Sequence, residues 1–459
     1  MFKTFTLLLF STMLFAQNQS NPERTLFGSS PKSVNPHNGS IRCITDEYEN
    51  FLRANNPNRS TTEAFEQWIA PKVAEIQERM AAGRSANVVI TIPVVVHVIH
   101  SGQAVGSGRN ISNARVLSQI TVLNQDFRRM LNTPGYNTNP VGADVEIEFC
   151  MAQRDPNGAA TNGINRVNLG NITWNETNVE TFLKPETQWD PTQYFNIWVC
   201  QFGGDLDGVL GYAQFPSNSG LGGLNSNGGD AITDGVIIDY RCFGSSVVAP
   251  NQGTYFNDYN LGRTATHEIG HCLGLRHIWG DGGSQAAGII NCTNNNDFCA
   301  DTPPAGWENY DCLNTYDSCP AAAGVDMVEN YMDYTNDACM NIFTLNQKAR
   351  MLAVMQNSPR RNTLATSLAC QSPMSNSEFG WLNQIKLYPN PANDFVAISV
   401  NEELPDSFTI YNALGQLVKQ VNVSTGADLT VDTQSLSQGV YFIKINKENA
   451  SKTLQFVKK

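Results

Sequence analysis

Positive charge is in short supply in this sequence. Its 459 residues include 30 Lys and Arg against 42 Asp and Glu, a formal net charge of −12 at pH 7. The basic footprint of a nucleic-acid binder and a polybasic membrane patch are both missing, so nucleic acid is not an expected partner. Long apolar runs are missing too. The stretch over 5–15 is shorter than the ~20 residues a membrane-spanning helix needs, and no later segment reaches that length, so no transmembrane anchor is expected. With Lys3 ahead of it and Ala16 before a polar run, it reads instead as a secretory signal over 1–16. Cysteine is absent after Cys370, the last of eleven. In a chain that leaves the cytoplasm these read as disulfide formers.

Histidine is limited to six residues, three of them in Thr266-His267-Glu268-Ile269-Gly270-His271-Cys272-Leu273-Gly274-Leu275-Arg276-His277. On a helix His267 and His271 lie one turn apart on the same face and can reach one ion. His277 would point away if the helix continued, but Gly274 can adopt positive φ and turn the chain back towards the metal. Three imidazoles leave a coordination position open, as in catalytic zinc sites. Glu268 stands beside the first ligand, placed to take a proton from water. The plainer alternative is a buried amphipathic helix with incidental histidines, since Ala265, Ile269, Cys272 and Leu273 recur at helical spacing.

A second stretch, Asn330-Tyr331-Met332-Asp333-Tyr334, follows downstream, and together with the long histidine motif it resembles the metzincin proteases. Gly280-Asp281, the run Asp297 to Pro304, Asp317-Ser318-Cys319-Pro320 and Asp337-Ala338-Cys339-Met340 narrow the likeness, which is dense over 88–351, to the short bacterial pappalysins. The resemblance implies an α+β catalytic domain: a mixed twisted sheet, a backing helix and a zinc-binding active-site helix. It implies a zinc endopeptidase acting on protein or peptide substrates, with Met332 as an apolar floor under the zinc ligands and Tyr334 stabilising an oxyanion. Asp337 would sit at the base of the S1′ pocket and pair with Arg or Lys; the alternative is a solvated aspartate. Asp297, Thr302 and the carbonyl of Cys299 match calcium-binding positions in relatives, although Ala300 replaces an aspartate found in some of them. A turn satisfied by its own backbone is the other reading.

By the same resemblance Cys292 pairs with Cys319 and Cys312 with Cys339, and Cys272 with Cys299 is suggested. Cys150 and Cys200 could bridge from two strand-like runs, which leaves Cys242 with Cys370. The odd cysteine, Cys43, follows Arg42. Pappalysin proforms carry a similar arginine-cysteine motif, and a thiolate there could fill the open zinc position of a latent form. A free or intermolecularly paired thiol is the alternative.

Residues 17–84 read as a polar propeptide with one helix over 62–82, and Arg84-Ser85 as its release point. Within the catalytic domain over 85–370, the runs 88–99, 145–152 and 194–201 read as strands. Residues 112–130 read as a helix with Ala114, Val116, Leu117, Ile120, Leu123 and Phe127 facing the core. His97 and His100 are given no role. Residues 211–215 are expected to form the edge strand beside which an extended peptide adds antiparallel, and 217–229 an exposed Gly/Asn-rich loop. Residues 371–380 read as a linker. The remainder, 381–459, with Leu387-Tyr388-Pro389-Asn390-Pro391-Ala392 and Leu436-Ser437-Gln438-Gly439-Val440-Tyr441-Phe442-Ile443, resembles the C-terminal sorting domain of type IX secretion, a small β-sandwich. That makes the secretion machinery a partner, with export through the periplasm of a Gram-negative bacterium to the medium or cell surface. Other readings are a non-catalytic, zinc-stabilised adhesin and a purely structural surface protein.

Overall fold

The computed structural model describes residues 24–83, 89–218, 231–293, 297–373, 385–400, 404–447 and 450–459. The expected signal over 1–16, the release point at Arg84-Ser85 and most of the loop and linker lie outside them. The chain divides into two compact units, one reaching to Gln371 and the other beginning at Ser372. No helix among the described residues is long and apolar enough to cross a membrane.

The first unit is built on β2 (Ile90–His100), a β-branched run buried along most of its length. Such a run suits a strand covered on both faces. It pairs in parallel with β3 (Ile147–Met151), β4 (Ile164–Asn168) and β5 (Phe195–Cys200), and β5 pairs in parallel with β7 (Val236–Asp239). β6 (Val209–Ala213) joins β7 antiparallel, so the sheet is mixed. The expected edge strand therefore exists, but its outer side is already paired. β1 (Ile41–Cys43), from the segment expected to be a propeptide, runs parallel to it with Cys43 opposite Gly211. His97 is buried between the side chains of Asn196 at 2.8 Å and Asn165 at 3.0 Å, and stacks on Trp198.

The expected propeptide segment holds more structure than its polarity suggests. After β1 comes α1 (Thr45–Asn55), a mostly polar segment whose Tyr48, Phe51 and Leu52 share one face, then α2 (Thr62–Ala81). The backing helix α3 (Asn113–Phe127) buries Val116, Ile120, Leu123 and Phe127, but Leu117 is 50% exposed and Ala114 also faces solvent. The inward face is rotated because polar residues occupy part of it. Arg115 donates to the carbonyls of Phe243, Tyr240 and Thr254, and Gln119 to that of Gly262. These clamps fix the loop that leads into the active-site helix, α4 (Arg263–Cys272). α5 (Leu345–Asn357) closes the unit behind it, started by a capping box of Thr344 and Gln347.

Disulfides join Cys292 to Cys319 and Cys312 to Cys339, as the resemblance implied, and Cys150 to Cys370. Three pairings are corrected. Cys150 does not bridge to Cys200, nor Cys242 to Cys370: Cys200 lies in the core on one face of the sheet and Cys242 in the core on the other. Cys272 does not bridge to Cys299; its thiol points at the carbonyls of Gln214 and Gly235, while Cys299 lies near Asp297 and Arg350.

In the second unit, β10 (Ser407–Asn412), β11 (Leu417–Asn422), β13 (Gly439–Lys447) and β14 (Ala450–Lys458) form one antiparallel sheet. A smaller one contains β8 (Lys386–Tyr388), β9 (Phe395–Ser399) and β12 (Thr430–Asp432). Val396, Ile398, Phe408, Ile410, Ile443 and Phe456 form their shared core, a small β-sandwich.

Candidate active site

α4 is buried at every residue. Its start is held by Asp337, whose Oδ2 accepts from Leu261 N at 2.9 Å and Arg263 N at 3.1 Å, where a helix N-terminus favours negative charge. Its end is made by Gly274 at φ +88°, with Leu275 N donating to Gly270 O. A Cβ on Gly274 would also come within 2.7 Å of a Val354 methyl. The turn returns the chain so that His277 faces His267 and His271.

The three Nε2 atoms stand 3.0–3.3 Å apart. Each Nδ1 is taken: His267 by Tyr331 O at 2.7 Å, His271 by Leu275 O at 2.9 Å, and His277 by the Asp281 carboxylate. A carbonyl or carboxylate can only accept, so each Nδ1 carries the proton and each Nε2 presents a lone pair. Burial pushes His271 down to about 3 and His277 down to about 4, so the rings are neutral. Three lone pairs converging at this distance cannot bond one another. They fit a cation, and the Cys43 thiol completes a group of four donors lying within 4.8 Å of one another.

Met332 packs from below so closely that a Cβ on Gly270 would lie 2.5 Å from its sulfur. Trp279 stacks on the His277 ring, and Tyr334 lies edge-on to both. The Tyr334 hydroxyl donates to Cys43 O at 3.2 Å. Glu268 accepts at Oε2 from Thr45 Oγ1 at 3.0 Å and Cys43 Sγ at 3.3 Å, while its buried Oε1 has no partner among the described residues. Burial pushes this carboxyl up to about 8. Asp337 is not a surface residue. Arg42 reaches its Oδ1 at 3.2 Å with neither side chain exposed, and also donates to Thr335 O at 3.0 Å. Sequence reasoning missed Thr45, Trp279 and the role of Asp281, whose one signal was its i+4 spacing from His277.

The Asp297 turn brings its three groups together. Thr302 Oγ1 lies 2.8 Å from Asp297 Oδ2 and 2.5 Å from Cys299 O, and Cys299 N donates to Asp297 Oδ1. One hydroxyl proton cannot serve both oxygens at once.

The sequence pattern of the family described as pregnancy-associated plasma protein-A matches residues 179–356, and that of a secretion system C-terminal sorting domain matches 386–459. An extracellular metalloprotease of Colletotrichum graminicola is 31% identical over 71% of this chain and 93% of its own length. One from Verticillium alfalfae is 32% identical over 62% of this chain and 81% of its own. Among solved structures, mature mirolysin of Tannerella forsythia in complex with a cleaved peptide is 40% identical, covering 62% of this chain and 98% of that one at a TM-score of 0.50. The chain belongs to the pappalysin family of metalloproteases and ends in a type IX secretion sorting domain.

Proposed function

We propose that this protein is a secreted zinc endopeptidase, made latent by its own leader and favouring Arg or Lys at P1′. The observation that carries the reading is the pair Arg42-Cys43: the arginine lies on Asp337 while the next residue meets the three imidazoles. His267, His271 and His277 are the proposed zinc ligands, a donor set suited to that ion. Zinc, when bound, supplies a Lewis acid that activates water and polarises the scissile carbonyl.

The other steps fall to side chains. Glu268 accepts the proton of the attacking water and delivers it to the leaving amine. Tyr334 turns to the oxyanion the hydroxyl it now offers the Cys43 carbonyl. Asp337 holds a P1′ guanidinium or ammonium as it holds Arg42. With a divalent cation held by the imidazoles, Cys43 would be the fourth residue to hold it, as a thiolate. The leader runs along β6 in the sense opposite to an antiparallel substrate, which supports its survival in the cleft. We assign 1–16 to a signal peptide, 17–84 to the propeptide, 85–370 to the catalytic domain, 371–380 to the linker and 381–459 to the sorting domain, with export through the periplasm.

The test is a peptide library offered to the matured protein with and without a zinc chelator. Cleavage before basic residues that stops on chelation is expected; equal cleavage in both arms contradicts zinc dependence. In the full chain, Cys43→Ala is expected to shorten the lag before activity appears.

Calcium belongs to this reading as a structural ion at Asp297, Thr302 and the Cys299 carbonyl, where three hard oxygens converge. Adding calcium to metal-stripped protein is expected to raise Tm by several degrees, and Asp297→Ala to abolish the rise. An unchanged Tm would remove calcium from the account.

A further inference from the structure

The leader is gripped at a second place, besides the imidazoles. Glu66 of α2 sits between two guanidiniums of the catalytic domain. Arg350 of α5 donates to its Oε2 at 2.7 Å and its Oε1 at 2.6 Å, and Arg276 to its Oε1 at 3.0 Å. All three side chains are buried. Arg350 spends its remaining nitrogen on Gly274 O at 2.6 Å, the turn that carries His277. Next to Glu66, Phe65 packs on Phe215 with ring centroids 5.2 Å apart, and Ile69 and Ile76 are buried in the same core.

The two-pronged grip of Arg350 is the planar geometry a guanidinium offers a carboxylate. Without Glu66, two cations would remain buried side by side, and neither can relieve the cost by shedding a proton. Arg276 keeps a buried Nη2 with no partner among the described residues, so the site has an unused donor even when filled. Nothing in the proposed chemistry needs this arrangement.

We propose that Arg276 and Arg350 form a carboxylate-recognition site on the catalytic domain, distinct from the three imidazoles, whose ligand is a glutamate presented by an amphipathic helix. Glu66 fills it in this chain and holds α2 independently of Cys43. The contact stands without the latency reading; only its consequence, a leader with two grips, rests on it.

Amide hydrogen exchange of the full-length protein tests this. In Glu66→Gln, exchange over 62–81 is expected to quicken on the order of tenfold, the loss of one charge-assisted pairing, while exchange over 263–272 stays as in wild type. Glu66→Asp, which keeps the charge on a shorter arm, should fall between the two and serves if the glutamine variant does not fold. Cys43→Ala should quicken 41–48 and leave 62–81 alone. Unchanged exchange over 62–81 in Glu66→Gln overturns the proposal. So does a rise shared equally with 263–272, which would mark an ordinary core ion pair. A wild-type full chain that hydrolyses peptides as fast as the matured form would defeat latency while leaving the exchange result intact.

Discussion

Glu268→Gln in the matured protein is expected to keep its metal and lose at least about a hundredfold in kcat, within the 10²–10⁴ range of a removed general acid–base group. The carboxylate is not among the four converging donors, so zinc content by mass spectrometry should stay at one zinc per chain. The amide matches the carboxylate in shape, so the cleft should keep its form. What it cannot do is take a proton from water. The Oε1 of Glu268, buried and without a partner among the described residues, is free to take that proton. Near-normal turnover would mean that the proton goes elsewhere.

Asp337→Asn is expected to change selectivity rather than chemistry. The amide oxygen can keep the bonds from Leu261 N and Arg263 N that start α4. A buried cation, however, would face a neutral group. Losing one partner of a buried, hydrogen-bonded charge pair costs about 2–5 kcal/mol, so kcat/KM for peptides with Arg at P1′ should fall roughly a hundredfold or more. Peptides with an apolar P1′ residue should change far less. The same substitution should loosen the leader, because Arg42 uses this carboxylate. A parallel fall for both peptide classes would instead assign Asp337 to holding α4 in place.

Much of the site was legible because its geometry is local. His267 and His271 follow from helical spacing, and Gly274 announces the turn that brings His277 back. Met332, Tyr334 and Asp337 could be placed through resemblance, since no periodicity connects them to α4. The strands were legible where β-branched residues are dense, as in β2. α1 was not, because its three apolar residues, Tyr48, Phe51 and Leu52, are set in a polar stretch and only the fold shows Tyr48 meeting Tyr212. The rotated face of α3 was missed for a related reason: a buried Arg115 reads as surface until its carbonyl partners are known. The disulfides of Cys150 and Cys370 and the free thiols of Cys200 and Cys242 depend on which face of the sheet each residue takes, which composition does not carry. Thr45 and Glu66 became visible only when the leader was seen folded against the residues it covers.

X-ray absorption at the zinc edge of the full-length protein tests the central claim most directly. The account predicts one zinc per chain with three nitrogen neighbours and one sulfur at about 2.3 Å, and loss of the sulfur alone in Cys43→Ala. A protein that holds no zinc, or one whose zinc survives replacement of His267 and His271 by alanine, would contradict it.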